Sequence, residues 1–478
     1  MLRRYYIAFG LALAGCLSAL SSNATVILPK ILGNGMVLQR NQPVPIWGTA
    51  AKGEKVTVRF AGQTKTVTPD TGGRWKVYLK PMEASAKGRD LTISGTNKIV
   101  LTDVLVGEVW LCSGQSNMQY EMRKNSKVAR PDTSSDKSPI DELERAHNPA
   151  IRIFLVDRKR QPKPDSTHSG WSIAQDSALR AFSAAGYFFG KKLYAELKVP
   201  IGVISSAVSG SRIEPWINET AFNSEPYFKT IKVDGDPGKF YHPMIETLAP
   251  YAIKGFLWYQ GESNVGETMS YIYKMQVLIN SWRKLWNNDK LPFYYVQLAP
   301  YTNSQDKKFT TETLPEFREA QVQVLQIPRT GMIVTTDLND NVKNIHPPFK
   351  WEIGRRLALV ALAKSYGSKA EYSGPVYAKM DIDRDQVVLK FDHVGKGLIS
   401  SDGKPLTHFV IAGADKKFVP ANVMIKDDVL VLSSPEVKKP VAVRFAWDEA
   451  AQPNFYNKDG LPAMPFRTDN PLNYKPAN

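Results

Sequence analysis

Between Val26 and about Val106, apolar and polar residues alternate with period two, as in "EKVTVRFAG" and "GRWKVYLKP", and Gly, Pro and Asp-Thr-Gly-Gly turns separate the runs. Alternating side chains lie on opposite faces of a strand, so the pattern predicts a small antiparallel β-domain over 25–106. From Gly107 the texture changes. Short all-apolar runs ("EVWLCSG", "RIFLV", "IGVISSAVSG", "YAIKGFLWYQG", "PFYYVQLAPY", "GMIVTTDL") alternate with helix-length segments ("SALRAFSAAGYFFGKKLYAEL", "PEFREAQVQVLQI", "KWEIGRRLALVALAKSYG"). A strand apolar on both faces must be covered on both, which indicates an α/β domain with a parallel sheet over 107–367. The polar tract from Lys124 to Asn148 reads as a surface loop. Period-two alternation returns in "QVVLKFDHVG" and "VAVRFAWDEA" and predicts a C-terminal β-region over 368–478.

The first residues stand apart from this organisation. Arg3 and Arg4 precede an apolar run from Tyr5 to Leu20, followed by Ser21-Ser22-Asn23-Ala24. This is the pattern of a secretory signal peptide over 1–24, cleaved after Ala24, and it predicts export to the periplasm or the extracellular space. Leu13-Ala14-Gly15-Cys16 also fits a lipoprotein box, the alternative in which Cys16 is lipidated. No second apolar run follows, so no integral membrane span is expected.

Composition narrows the remaining classes. With 43% hydrophobic and 23% charged residues the chain is an ordinary globular one. Removal of Cys16 leaves Cys112 as the only thiol, which excludes an internal disulfide and a cysteine-based zinc site; inside an apolar strand, Cys112 reads as core. No metal and no cofactor are expected. The net charge of +16 is scattered rather than gathered in an aromatic-interleaved stripe, so it suits acidic glycans better than nucleic acid. Oligomeric state is not encoded in any pattern found here.

Candidate chemistry sits where apolar runs stop. In "GEVWLCSGQSNMQYEM", Ser116 follows a strand and opens a helix, at the sheet edge where α/β proteins place their chemistry. A serine needs a general base and donors for the developing oxyanion; without them it is a helix cap. The segment is not a G-x-S-x-G elbow, because Met118 occupies the second glycine position. Three further strand ends supply partners. Gly210 in "SSAVSGSRIEPW" offers a bare backbone N–H, and "FLWYQGESN" ends in the amide-rich loop Gln260 to Asn264. "NDNVKNIHPPFK" carries His346 ahead of a helix that starts near Pro348. Of six histidines, His147 and His168 fall in polar loops, His393 and His408 in the C-terminal region, and His242 reads as structural, leaving His346 as the base candidate.

These stretches, with "MVLQR", "PVPIWGTA", "IHPPFKWEIGRRLALVALAKSYG" and "NFYNKDGLPAMPFRTD", resemble the sialate O-acetylesterase family, a branch of the SGNH hydrolases, over nearly the whole mature chain. The resemblance implies a flavodoxin-like three-layer catalytic domain flanked by N- and C-terminal β-domains, and hydrolysis of O-acetyl esters on carbohydrates. It implies Ser116 as nucleophile, His346 as base, Gly210 as the second-block glycine, and Gln260 or Asn264 as the oxyanion amide. The family's aspartate before the histidine is missing, since Lys343 and Asn344 stand there. Glu262 is the first choice for the acid that orients His346, with Asp340 and Asp337 as alternatives and a Ser–His dyad as a third. Arg212 and Trp216 are candidates for binding a sugar carboxylate and stacking on a sugar ring, or for packing.

Three functions remain open from the sequence. They are sialate 9-O-acetylesterase or a related glycan esterase, an acetylxylan or xyloglucan acetylesterase, and a non-catalytic glycan-binding protein on a decayed scaffold.

Overall fold

The computed structural model describes residues 26–125, 142–156, 170–231 and 235–475. The expected signal peptide, Cys16 and His168 lie outside these residues.

Strands Val37–Gln39, Val44–Thr49, Val56–Phe60, Gln63–Val67, Arg74–Leu79 and Ser85–Ser94 make up the N-terminal region. In Arg74–Leu79 the alternation is realised directly, with Trp75, Val77 and Leu79 buried and Arg74, Lys76 and Tyr78 exposed. The preceding turn is held by Asp70, whose carboxylate accepts from the N–H groups of Gly72 and Arg74, each at 2.9 Å. The following strand, β1, runs from Lys98 to Gly114 and serves two domains. Its first part pairs antiparallel with Ser85–Ser94, and its last part pairs parallel with a strand on either side. The expected boundary at 106/107 falls inside this one strand.

The central sheet continues with β2 (Ile151–Leu155), β3 (Trp171–Ile173), β4 (Ile201–Ala207), β5 (Gly255–Tyr259), β6 (Phe293–Val296) and β7 (Thr330–Ile333). Their spatial order is β7-β6-β5-β1-β4-β2-β3, parallel except for the β2–β3 pair. The chain fills one side of β1 and then the other, so its connections diverge at the carboxyl end of β1, where an open α/β sheet leaves a crevice. The helices that flank this sheet or its edge are α1 (Ser116–Gln119), α2 (Ala184–Leu197), α3 (Met269–Leu285), α4 (Thr313–Gln323) and α5 (Lys350–Tyr366).

Both faces of the sheet are covered. Trp110 of β1 packs edge-on against Phe189 of α2, with centroids 5.2 Å apart. Phe256 and Trp258 of β5 pack against Trp282 of α3 at 5.3 and 5.8 Å. These two-sided contacts account for strands that are apolar at successive positions.

Several elements differ from expectation. The single helix expected over 177–197 is two, Asp176–Arg180 and α2, because the Ser183 hydroxyl accepts from the Gly186 N–H at 3.1 Å and caps a new start. Helix α3 was not anticipated, although Ile272, Met275, Ile279 and Trp282 recur at helical spacing. The tract Lys124–Asn148 overlaps short helices Met122–Asn125 and Glu142–Arg145 at its two ends; 126–141 lie outside the described residues. Cys112 is wholly buried, as expected, and burial pushes its thiol well above the ordinary range.

Beyond α5, which Gly367 ends at a φ of 75°, two four-stranded sheets and one two-stranded sheet form a C-terminal region. It has a core of its own around Phe391, Phe409, Phe445 and Phe455. Among the described residues no helix is long and apolar enough to cross a membrane.

The sheet positions the site through its register. Ala207 of β4 and Tyr259 of β5 both pair with Gly114, the last residue of β1. Gly114 adopts a φ of 137°, and a Cβ there would stand 2.1 Å from the Tyr259 carbonyl oxygen, so the approach admits only glycine. Gly114→Ala is expected to destabilise the fold by more than about 2 kcal/mol in urea unfolding. A loss below about 0.5 kcal/mol would show that the three strand ends can part without cost.

Candidate active site

Loops leaving the carboxyl ends of β1, β4, β5 and β7 carry Ser116, Gly210, Gln260 to Asn264, and His346. Ser116 is half-buried and is the first residue of α1. The amides around it are engaged with the neighbouring loops. Gln115 Oε1 accepts from the Gly261 N–H at 3.2 Å, and Gln119 Oε1 accepts from the Ser209 N–H at 2.7 Å. Asn117 reaches furthest: its Nδ2 donates to Glu262 Oε1 and, at 3.0 Å, to the Ile345 carbonyl, while its Oδ1 accepts from Lys350 Nζ at 2.6 Å. Both donors of that amide and one acceptor position of its oxygen are filled, by residues more than a hundred positions away in sequence.

The surroundings of Asn117 are buried and charged. Burial raises the Glu262 carboxyl, against the hydrogen bonds it accepts and the Lys350 charge, and its Oε2 has no partner among the described residues. Burial lowers the Lys350 amine to about 7, with Glu262 pulling the other way.

His346 is half-buried, and its backbone N–H donates to Asn344 Oδ1 at 3.0 Å. Its imidazole is held below the ordinary range by burial first, then by Lys350 and Lys124. Neither the ring nor the Ser116 hydroxyl hydrogen-bonds to any described residue. The acids considered from the sequence are placed elsewhere. Glu262 engages Asn117 rather than the ring. Asp337 forms a two-point pair with Arg356 at 2.8 and 2.5 Å, and Asp340 is exposed with no hydrogen bond to a described residue.

Gly210 is exposed with a φ of 72°, has open space on its Cβ side, and its N–H donates to no described residue. The amide side chains expected beside it point inward. Gln260 Nε2 donates to Asn264 Oδ1 at 2.7 Å and to the Ser211 carbonyl at 3.2 Å, and Asn264 Nδ2 donates to Glu214 and Glu267. Both are wholly buried, so they brace the Gly210 loop from below instead of facing the crevice. Trp216 is likewise wholly buried, with Nε1 donating to Ser211 Oγ at 3.0 Å, and presents no face to a sugar. Arg212 donates to the Ser263 carbonyl at 3.0 Å and pairs with Glu214 and Glu267, which also pair with buried Lys274. His242 sits between Glu219 and Glu246, 2.7 Å from each, in keeping with a structural role.

Two functional-site residues escaped the sequence reading. Asn117 was visible only as an amide beside Ser116. Lys350, four residues after His346, carried no signal, because a lysine near a helix start normally lies in solvent.

A family model described as "Carbohydrate esterase, sialic acid-specific acetylesterase" matches residues 106–363. The human sialate O-acetylesterase is 28% identical over 488 residues, covering 91% of either chain. The mouse sialate O-acetylesterase is 28% identical over 518 residues, covering 91% of this chain and 93% of its own. The crystal structure of a carbohydrate acetylesterase from Xanthomonas citri superposes with a TM-score of 0.82 at 36% identity, covering 93% of this chain and 100% of that one.

The two aspartates on the His346 side are separated by a stability measurement. Asp337→Ala leaves buried Arg356 short of its two-point partner and is expected to cost about 3 kcal/mol in urea unfolding. Asp340→Ala should stay within about 0.5 kcal/mol. Equal costs would mean that Asp340 carries a structural contact as strong as the Asp337 pair.

Proposed function

This chain belongs to the carbohydrate esterase family of sialic acid-specific acetylesterases, and we propose that it removes O-acetyl groups from sugars by a serine mechanism on an SGNH-type three-layer domain. Ser116 Oγ attacks the acetyl carbonyl while His346 takes its proton and returns it to the departing sugar oxygen. The Ser116 and Gly210 N–H groups, neither bonded to a described residue, receive the oxyanion, in place of the Gln260 and Asn264 side chains. Water, deprotonated by His346, then attacks the acetyl-enzyme and acetate leaves. The observation that carries this reading is the gathering of the Ser116, Gly210 and His346 loops at one sheet edge, with Asn117 bonded to the β5 loop at Glu262, to the histidine loop at Ile345 and to α5 at Lys350.

No carboxylate of the described residues hydrogen-bonds to the imidazole, so His346 works in this proposal as one half of a dyad. A third member mainly fixes the tautomer and steadies the imidazolium. Glu262 then acts on the histidine loop through Asn117 and not on the ring.

O-acetylated sialic acid, in the first instance the 9-O-acetyl ester, is the substrate we put forward, in line with the named relatives. A second reading, a neutral acetylated polysaccharide such as xylan or xyloglucan, is favoured by one observation: the Arg212 guanidinium is already neutralised by Glu214 and Glu267. Export belongs to the proposal too, on the pattern of residues 1–24, with cleavage after Ala24 or lipidation of Cys16.

Acetate release from acetylated sialic acid and from acetylated xylan tests the reading. Ser116→Ala should lower it by at least about a thousandfold, and retention of more than about a tenth would move the nucleophile elsewhere. Absence of turnover on any acetyl ester by the unaltered protein would favour a glycan-binding role. The pH profile is a separate check. His346 must be neutral to accept a proton and is held low, so kcat/KM should rise with pH through a midpoint below about 6.5 and level off at neutrality. A midpoint above about 7 would assign the base to another group.

A further inference from the structure

Lys350 is placed where a cation is costly. It is the first residue of α5, at the positive end of the helix dipole, and it is 0% exposed. Packing alone would be met as well by methionine. The ammonium instead has three specific partners: Asn117 Oδ1 at 2.6 Å, the face of Tyr120 at 4.9 Å and the face of Tyr259 at 5.1 Å. Through Asn117 it is linked to Glu262 and to the carbonyl of Ile345, the residue before His346.

We propose that Lys350 is a positioning residue for His346, its buried ammonium holding Asn117 and with it the histidine loop, which sets a positive charge beside the imidazole. The inference rests on His346 being the base of the esterase reaction. Among the described residues, the charged and titratable groups around the pair are Glu262 and Tyr259 from the β5 side, Tyr120 and Lys124 from the α1 side, and Asp340 on the histidine loop. Of these, only the cations Lys350 and Lys124 act on His346, and both lower it. Asp340 acts on Tyr120 and Glu262 on Lys350. Burial first, and then the Lys350 and Lys124 charges, hold His346 below the ordinary histidine range, so removal of the Lys350 charge lifts it.

Histidine-labelled protein, with the His346 resonance assigned by its loss in His346→Gln, reads this directly by NMR titration. In Lys350→Met the His346 midpoint should move up by about one pH unit. Lys350→Gln, which keeps a donor for Asn117 without the charge, should show the same rise yet retain more kcat than the methionine variant. It also carries the test if Lys350→Met does not fold. In both, the acid limb of kcat/KM should move to higher pH. An unchanged His346 midpoint in a folded variant would overturn the charge role, and equal kcat in Met and Gln would overturn the positioning role. The titration does not depend on turnover, so a failure of the esterase reading, seen as absence of turnover by the unaltered protein, or of its serine mechanism, seen as undiminished activity in Ser116→Ala, stays distinguishable from a failure of this one.

Discussion

Much of the site depends on one amide bonded three ways. Asn117 follows Ser116 directly, and its side chain is bonded to the β5 loop at Glu262, to the histidine loop at Ile345 and to the start of α5 at Lys350. Each partner is buried or part-buried, so releasing any of them would strand a polar group away from water. The turn that presents Ser116 therefore cannot shift without moving the segment that presents His346. Gln115 and Gln119 extend the same logic to the loops after β5 and β4. The amides flanking the serine in the motif act as cross-links between strand ends rather than as groups aimed at a substrate.

The electrostatics follow from this arrangement. A carboxyl and an amine are buried together around Asn117, and burial moves each toward its neutral form, Glu262 upward and Lys350 downward. Burial first, and then the charges of Lys350 and Lys124, lower the affinity of the neighbouring histidine for a proton. A base of this kind stays ready in mildly acidic medium, at the cost of a less stabilised imidazolium. On the other side of the site the balance is closed internally: Arg212 and Lys274 meet Glu214 and Glu267, and this cluster, with Asn264, braces the backbone that carries Gly210.

What could be read from the chain is what depends on local pattern. Alternation in "GRWKVYLKP" became a half-buried strand, and all-apolar runs became strands covered on both faces. The four strand ends chosen from the sequence do meet, because a parallel sheet brings its carboxyl ends to one edge. Side-chain direction was not legible. Gln260, Asn264 and Trp216 stand in the loops expected of site residues, yet they turn inward, Gln260 and Trp216 drawn by Ser211 and Asn264 by Glu214 and Glu267. Nor could spacing reveal Lys350 as buried, since its partners Tyr120 and Tyr259 lie more than ninety residues away. The break before α2 hinged on a single capping hydroxyl within an otherwise continuous helical pattern.

In the proposed mechanism the cross-linked strand ends present Ser116 as the nucleophile. Peptide mapping by mass spectrometry after incubation with a fluorophosphonate tests it most directly, because the reagent bonds only to a serine activated by a base and an oxyanion site. One phosphonyl adduct per chain is expected, on the peptide containing Ser116. An adduct on another serine, or none on a folded chain, would contradict it.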